Sequence, residues 1–264
     1  MRRLAANLLY CYRSLVKMTA IFCFGLGAVI MGVLVMPPLS LLVHPADRFK
    51  RVSRYIIFLS FRLFVAVLSL CGGIRLTVSD RVRCRTMRSM VVAANHPSLL
   101  DVVILLSLFP NADCIVNGAL SRSPLTWVIR RLYIVNSLDF DALMEKCRQS
   151  LATGANLLIF PEGTRTPHGG TVPFRRGAAR IAFEAGADIQ PLYIGGNEKY
   201  GLGKHDPLFS YSKGEIYRYD LVLLPPVRVQ DYRNLEAPLA SRRMTERLHE
   251  LLAAEALRRD VRPL

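Results

Sequence analysis

Residues 90–101 read MVVAANHPSLLD, and residues 157–165 read LLIFPEGTR. In both segments an apolar run of strand length ends in polar residues that can carry chemistry. Runs of this kind alternate along the chain with amphipathic stretches of helical period. The further strand candidates are 113–116, 133–135, 189–194 and 217–224, and the helix candidates are 98–109, 124–132, 140–153, 177–185 and 240–259. This alternation predicts an α/β fold with a mostly parallel central sheet flanked by helices.

The N-terminal part of the chain has a different composition. No charged residue occurs in 18–43, and the part before Pro37 and Pro38 is about long enough to cross a bilayer core. Because proline lacks the backbone N–H that a helix interior needs, we expect the helix to end there. A second apolar run, 55–74, is interrupted by Arg62, whose charge would be costly in the middle of a bilayer.

Basic residues flank the first apolar run on both sides. The two clusters are Arg2, Arg3, Arg13, Lys17 and Arg48, Lys50, Arg51, Arg54. A single span would place one cluster on the wrong side of the membrane, against the positive-inside tendency. We therefore expect two helices within 1–73 that dip into or lie along one leaflet, with both ends cytosolic and the basic side chains on anionic headgroups. One signal-anchor helix is the alternative.

Charge and composition restrict the partner. The 264 residues include 35 Lys and Arg against 20 Asp and Glu, a formal net charge of +15, so an anionic partner is expected. A mean hydropathy of +0.27 favours a membrane phospholipid surface over nucleic acid. Six scattered cysteines without a C-x-x-C pair are typical of reduced thiols in the cytosol. The rest of the chain, 74–264, is predicted to form one domain.

His96 and Asp101 form the first candidate site. His96 leaves a predicted strand, and Asp101 lies in the first turn of the following helix, from which a carboxylate can reach the imidazole and fix its tautomer. Alone, each residue has an ordinary interpretation as a strand-end histidine or a helix-start carboxylate. No G-x-S-x-G motif occurs, and no cysteine lies near this segment in sequence. A base without an enzymic nucleophile indicates that a substrate hydroxyl or amine attacks directly.

The second candidate site is the turn from Glu162 to Arg165, which also follows a predicted strand. By itself this segment is a polar turn with a glycine at positive φ. Ligands of open α/β sheets bind at the carboxyl ends of strands, so the fold can bring this turn close to His96. The joint occurrence of both segments, in this order, favours a catalytic site.

These segments resemble two blocks of the glycerolphosphate/lysophosphatidate acyltransferase family. Residues 95–101 are similar to its N-H-x4-D block, residues 160–166 to its F-P-E-G-T-R block, and residues 189–193 to its final strand with proline. The resemblance covers about 74–224. It implies that His96 is the general base, that Asp101 is its partner, and that the acceptor site is shaped by Asn95, Glu162, Gly163, Thr164, Arg165 and Arg131. It also implies acyl transfer from acyl-CoA or acyl carrier protein to a glycerophosphate hydroxyl, with no metal or other cofactor.

One block departs from the family pattern. Where the family carries an arginine that binds the acceptor phosphate, this chain has Ser137, and Arg131 lies near a usual glycine position. Arg122 and Arg130 are further candidates for the role of that phosphate-binding arginine. Two alternatives therefore stay open: a specialised acceptor without phosphate, such as an amino-acid lipid or polyene glycolipid, and a non-catalytic basic membrane adaptor. The expected location is the inner (cytoplasmic) membrane, with a monotopic attachment and the catalytic domain on the cytosolic face.

Two further features follow the second candidate site in sequence. His168 lies in a Pro- and Gly-containing loop after the turn, and we expect it to be exposed. Arg175 and Arg176 are expected either to be solvated or to contact a donor phosphate or lipid headgroup.

Overall fold

The computed structural model describes residues 2–116, 133–135, 139–168, 170, 172–207, 211 and 215–260. Strands of this part of the chain form one sheet at its centre. They are β1 (Ile74–Val78), β2 (Val91–Ala94), β3 (Ala112–Val116), β4 (Ile134–Val135), β5 (Asn156–Ile159), β6 (Ile189–Gly195) and β7 (Tyr217–Leu223). Their order is β1-β7-β6-β2-β5-β3-β4. Among the neighbouring pairs of these strands only β6 and β7 are antiparallel, so the predicted, mostly parallel sheet is confirmed.

Helices cover both faces of the sheet. They are α1 (Arg2–Ile30), α2 (Met36–Leu42), α3 (Ala46–Leu70), α4 (Arg81–Thr86), α5 (Asp101–Leu106), α6 (Phe140–Ala152), α7 (Gly177–Ala185) and α8 (Ala237–Asp260). Alternate residues of β2 serve the two faces: Val92 and Ala94 pack with α3 and α5, whereas Val91 and Ala93 pack with α6, α7 and α8. Burial on both faces explains why the strands read as continuous apolar runs.

The N-terminal helical path does not end at the prolines. A π-helical segment, Met31–Val35, joins α1 to α2, and Pro37 and Pro38 lie in the first turn of α2. The expectation that the prolines end the helix was therefore wrong. A first turn tolerates proline, because N–H groups there have no intrahelical acceptor. Two segments, Asn7–Leu42 and Ala46–Leu70, are long and apolar enough to cross a membrane, by length and composition only.

Arg54 anchors α3 to the sheet. Its guanidinium forms a bidentate pair with the Asp113 carboxylate in β3, with Nε–Oδ1 at 2.8 Å and Nη2–Oδ2 at 2.5 Å. Both side chains are 6% exposed, and Ser150 Oγ donates to Asp113 Oδ2 at 2.5 Å. The expectation that Arg54 rests on lipid headgroups was wrong, because a buried, fully hydrogen-bonded carboxylate holds the guanidinium inside the protein.

Several element boundaries differ from those expected. The segments β1 and α4 were not predicted, and the helix expected at 98–109 is shortened to α5. The hydroxyl of Ser98, which precedes α5, donates to the side chain of Asp101. The helix expected at 124–132 lies outside the described residues.

Candidate active site

His96 and Asp101 meet at the carboxyl end of β2. His96 Nδ1 lies 2.9 Å from Asp101 Oδ2, and the aspartate side chain is fully buried while the histidine is 16% exposed. A carboxylate accepts hydrogen bonds, so it holds the Nδ1–H tautomer and leaves Nε2 with a lone pair. The geometry therefore provides an oriented imidazole whose Nε2 can accept a proton.

Two residues fix the carboxylate of Asp101. Ser98 donates to it twice, from its backbone N–H to Oδ2 at 2.7 Å and from its hydroxyl to Oδ1 at 2.5 Å. Tyr219, on β7, lies 2.9 Å from the Ser98 hydroxyl, which accepts because its own proton is used. Burial, with the charge of Asp101, raises the pKa of Tyr219 well above its usual value, so the phenol stays a donor. The carboxylate is thus held by a chain of donors.

The ring of Phe160 packs against the face of the His96 ring. The two rings stack with centroids 4.1 Å apart and an interplanar angle of 21°. Phe160 ends the strand run that precedes the second candidate segment, so the stacking brings the two segments together. The prediction that they share one edge of the sheet is confirmed by this contact.

Glu162 joins the two segments directly. Its Oε1 accepts the backbone N–H of His96 at 3.0 Å, and its Oε2 accepts the Thr166 hydroxyl at 2.5 Å. The backbone N–H of Thr166 in turn donates to the His96 carbonyl at 2.8 Å. Glu162 is 2% exposed as a residue, and burial raises the pKa of its carboxyl group. The contact of Glu162 with substrate remains a prediction. In the structure, its carboxylate supports the backbone of His96 through a hydrogen bond.

Gly163 and Thr164 form the tip of the turn. Gly163 has φ +66°, a conformation that residues with a Cβ rarely adopt. A Cβ there would also lie 3.1 Å from Nε of Arg175, whose side chain covers the turn. The backbone N–H of Arg175 donates to the Pro161 carbonyl at 2.8 Å. Arg175 therefore lies beside the second candidate segment. Thr164, within that segment, is half-buried.

Arg165 reaches a third segment, the connection between β6 and β7. Its Nη1 donates to the carbonyls of Leu202 at 3.0 Å and Gly203 at 2.6 Å. The Leu202 carbonyl also accepts the N–H of Leu99 at 2.9 Å. The 198–206 loop thus contacts both candidate segments, although no local sequence pattern indicates this contact.

A second histidine–carboxylate pair organises this loop. His168 Nε2 lies 2.9 Å from both carboxylate oxygens of Asp206, and its ring stacks on Tyr200 with centroids 4.7 Å apart. Asp206 Oδ2 also accepts the N–H groups of Gly201 at 2.7 Å and Gly203 at 2.9 Å. Burial alone would raise the pKa of Asp206, but these bonds lower it below its usual value. The expectation that His168 is a merely exposed loop residue was wrong.

Of the remaining predicted site residues, the structure describes Asn95 but not Arg131. Asn95 is 4% exposed, and its side chain exchanges two hydrogen bonds with the backbone of Ile194 in β6, at 2.7 and 2.9 Å. It therefore ties β2 to β6 beneath His96. Arg131 and Ser137 lie outside the described residues, as do Arg122 and Arg130.

No three His, Cys, Asp or Glu side chains of the described residues lie close enough together to hold a metal ion. The expectation that no metal is needed stays a prediction. Ser98, Phe160, Tyr219 and Asp206 were missed as parts of the site. Tyr219 and Asp206 carry no local signal, because each reaches the site only through the folding of β7 and the loop before it.

Comparison with known proteins addresses the family and the fold. Residues 75–195 match the family model described as Acyltransferase. A chloroplastic 1-acyl-sn-glycerol-3-phosphate acyltransferase of Brassica napus is 27% identical over 67% of this chain and 53% of its own length. The human 1-acyl-sn-glycerol-3-phosphate acyltransferase alpha is 26% identical over 69% of this chain and 65% of its own length. The match thus spans between about half and two thirds of these two relatives.

A solved structure extends the likeness to the fold. The crystal structure of PlsC, the 1-acyl-sn-glycerophosphate acyltransferase of Thermotoga maritima, superimposes with a TM-score of 0.60. The superposition covers 95% of this chain and 97% of that one, at 20% identity, and so supports the fold alone. Family model and relatives agree with the resemblance seen in the motifs: residues 75–195 form an acyltransferase-family domain similar to that of the 1-acyl-sn-glycerol-3-phosphate acyltransferases.

Proposed function

We propose that this protein transfers a fatty acyl group from an acyl thioester to the hydroxyl of a lysophospholipid or glycerophosphate acceptor, of the 1-acyl-sn-glycerol-3-phosphate type, in phospholipid synthesis. The observation that carries the proposal is the His96–Asp101 pair, oriented by Ser98 and joined through Glu162 to the Glu-Gly-Thr-Arg turn. It supplies a base with an available nitrogen beside a site with cationic side chains. Neither the His96–Asp101 pair nor the cationic side chains act as an enzymic nucleophile.

The reaction is a direct attack. His96 Nε2 removes the proton from the acceptor hydroxyl as its oxygen attacks the thioester carbonyl. Asp101 stabilises the imidazolium that forms. When the tetrahedral intermediate collapses, the C–S bond breaks, and the imidazolium returns the proton to the departing sulfur. The products are an ester and a free thiol, which belongs to coenzyme A or acyl carrier protein.

Cationic side chains near the turn support a phosphate-bearing acceptor. Arg165 is held at the site by the 198–206 loop, and Arg175 lies over Gly163. A charge-assisted hydrogen bond to a phosphate is typically worth about 1.5–3 kcal/mol. We assign acceptor binding to Arg165 and the adjoining Glu162, Gly163 and Thr164.

The location follows from the apolar N-terminal helices. Most of the strongly exposed large apolar side chains of the described residues lie in α1, α2 and α3 or between them. Such a surface fits a lipid bilayer better than water. We propose a monotopic attachment to the inner (cytoplasmic) membrane, with the active site on the cytosolic side and no nucleic-acid partner.

One sequence feature favours a second candidate function. Ser137 stands where the family has a phosphate-binding arginine. The absence of that arginine would remove one charge-assisted contact to the acceptor phosphate. Under this alternative the acceptor is a lipid without phosphate, such as an amino-acid lipid or polyene glycolipid. Ser137→Arg should then increase the use of lysophosphatidate.

Complementation separates the two acceptor classes. The wild-type chain and its His96→Ala variant are expressed in a strain that lacks its essential lysophosphatidate acyltransferase. Growth restored by the wild type and not by the variant is expected. Failure of the wild type to restore growth, with expression and membrane association verified, would favour the specialised acceptor. Growth restored equally by both chains would show that the transfer does not need His96 and would contradict its assignment as the base.

Direct attack also predicts that no acyl-enzyme accumulates. The purified protein is incubated with labelled acyl-CoA in the absence of acceptor, quenched, and weighed by intact-protein mass spectrometry. An unmodified chain is expected. A stoichiometric acyl adduct would require a covalent mechanism.

A further inference from the structure

Arg62, the residue that interrupts the second apolar run, faces a surface cavity. The cavity measures about 560 Å³ and lies between the C-terminal half of α3, strand β1, helix α4 and the end of α5. Three other arginines line it: Arg75 from β1, and Arg81 and Arg85 from α4. The charge that interrupts the apolar run therefore belongs to a cluster of four cations from three elements.

Within the part of the chain that the structure describes, the cluster lacks an acidic counterpart at the cavity. Among the described residues, no aspartate or glutamate lines the cavity. The arginines found in salt bridges in the described part of the chain are Arg54, Arg148, Arg180, Arg242, Arg247, Arg258 and Arg259. None of these belongs to the cluster. Four like charges around one cavity repel each other, and an anion in the cavity would relieve that repulsion.

The cavity borders the apolar surface of α3. Leu59, Leu63 and Val67 follow one another at four-residue spacing, and each is at least 44% exposed. The residues that line the cavity, Arg62 and Ala66, lie on the neighbouring stripe of the same helix. Where such an apolar stripe meets a bilayer, the adjoining cationic stripe lies at the level of the headgroups.

We propose that this cavity is a binding site for the phosphate headgroup of an anionic membrane phospholipid. Guanidinium groups bind phosphate oxygens in bidentate geometry. The walls between the arginines are partly apolar, with Val65, Ile74 and Leu108, and fit the glycerol backbone beside the headgroup. The volume lies in the range of small-ligand sites.

The site is separate from the active site. Its lining includes neither Asp101 nor Phe160, the partners of the His96 ring, nor any residue of the Glu162–Arg165 turn. It borders Ser107 and Leu108, which follow the end of α5, whereas Asp101 begins that helix. The bound lipid would therefore be a fixed contact with the membrane rather than a reactant, and its binding does not depend on the proposed acyl transfer.

Two double variants that lose the same charge test the site. The full-length Arg75→Gln/Arg81→Gln protein is compared with Arg228→Gln/Arg233→Gln, which replaces two exposed arginines beside the 3-10 helix Val229–Tyr232. Binding to phosphatidylcholine vesicles is measured with and without 20 mol% phosphatidylglycerol, a composition chosen for the assay. Thermal unfolding shows that each protein is folded.

Wild type and control are expected to bind the anionic vesicles more tightly than the neutral ones, and the Arg75/Arg81 variant is expected to lose most of this difference. Each arginine at a lipid surface contributes about fivefold in affinity, so the loss for two is roughly 25-fold. Equal losses in both double variants would show diffuse surface attraction and overturn the proposal. Displacement of the vesicles by millimolar inorganic phosphate would show a free-phosphate site and also overturn it. Turnover is not the readout, so failure here leaves the proposed function untouched.

Discussion

The described residues include two histidine–carboxylate pairs, and they are built differently. His96 is bonded to Asp101 through Nδ1 alone, and the carboxylate is fully buried. His168 is bonded to Asp206 through Nε2, and its Nδ1 lies 3.9 Å from Glu198 Oε1. In the first pair only Nδ1 of the ring has a carboxylate partner among the described residues, whereas the second ring has a carboxylate near each nitrogen.

This difference leads us to assign different roles to the two pairs. The support behind each carboxylate is also different. Asp101 receives hydrogen bonds from Ser98, which is itself bonded by Tyr219, so it serves to orient one imidazole. Asp206 receives backbone N–H groups of its own loop, so it serves to shape that loop. We infer a base in the first pair and a loop clasp in the second.

Replacing each histidine should separate the two roles most strongly. His96→Ala is expected to lower kcat by about 10²–10⁴-fold, because the general base is lost. His168→Gln keeps a donor and should lower kcat by less than about tenfold. The measurement is steady-state acyl transfer by purified, folded proteins in the same detergent. Comparable losses in both variants would contradict the division of roles.

The next substitution tests orientation within the first pair. In Asp101→Asn, the new amide can donate to Nδ1, which moves the ring proton to Nε2 and removes the base. We expect kcat to fall by about 10²-fold or more, while the KM for the acceptor changes little, because Asp101 is fully buried. A rise in KM with kcat preserved would show that Asp101 acts in binding instead.

The architecture was largely predictable because buried parallel strands read as continuous apolar runs. The helix at 177–185 was predicted with its observed bounds, and β2 and β6 within a residue. Strand β1 was missed because IRLTV alternates at the sheet edge and follows directly on an apolar helix. The continuation of the helix past Pro37 depends on a π-helical segment, which the sequence does not mark.

The candidate site was predictable only where its residues are close in sequence. His96 and Asp101 are five positions apart, and the Glu-Gly-Thr-Arg turn is contiguous. Tyr219 lies 121 positions from Ser98, and Asp206 lies 38 positions from His168. Contacts over such distances are fixed by the sheet order, not by local patterns. The same reason hid the pairing of Arg54 with Asp113, which are 59 positions apart.

A weaker effect is expected from the second carboxylate. Asp206 shapes the loop whose Leu202 and Gly203 carbonyls hold Arg165. In Asp206→Asn the loop keeps one acceptor oxygen but loses the charge, so Arg165 should be held less firmly. We expect the acceptor KM to rise about tenfold, equivalent to roughly 1.4 kcal/mol, with kcat nearly unchanged. Asp231→Asn, at an exposed carboxylate, is the matched control and should leave both constants unaltered.

The smallest expected effect concerns stability and pH. Although burial opposes it, hydrogen bonding holds the pKa of Asp206 below its usual value of 3.8, so its ionised form stabilises the folded state above that pH. This contribution should be fully present above about pH 5 and lost as the pH falls through 3.8 and below.

At pH 7 the Tm of Asp206→Asn should lie roughly 2–5 °C below that of wild type, since one charge-assisted bond is worth about 1.5 kcal/mol. Between pH 5 and pH 3.5 the difference should narrow, because the wild-type carboxylate becomes protonated on unfolding while the amide does not titrate. Thermal unfolding of both proteins across this range measures the difference. A constant difference would mean that the introduced amide disturbs the packing of the loop rather than its charge, and the second pair would then be a steric feature rather than an electrostatic clasp.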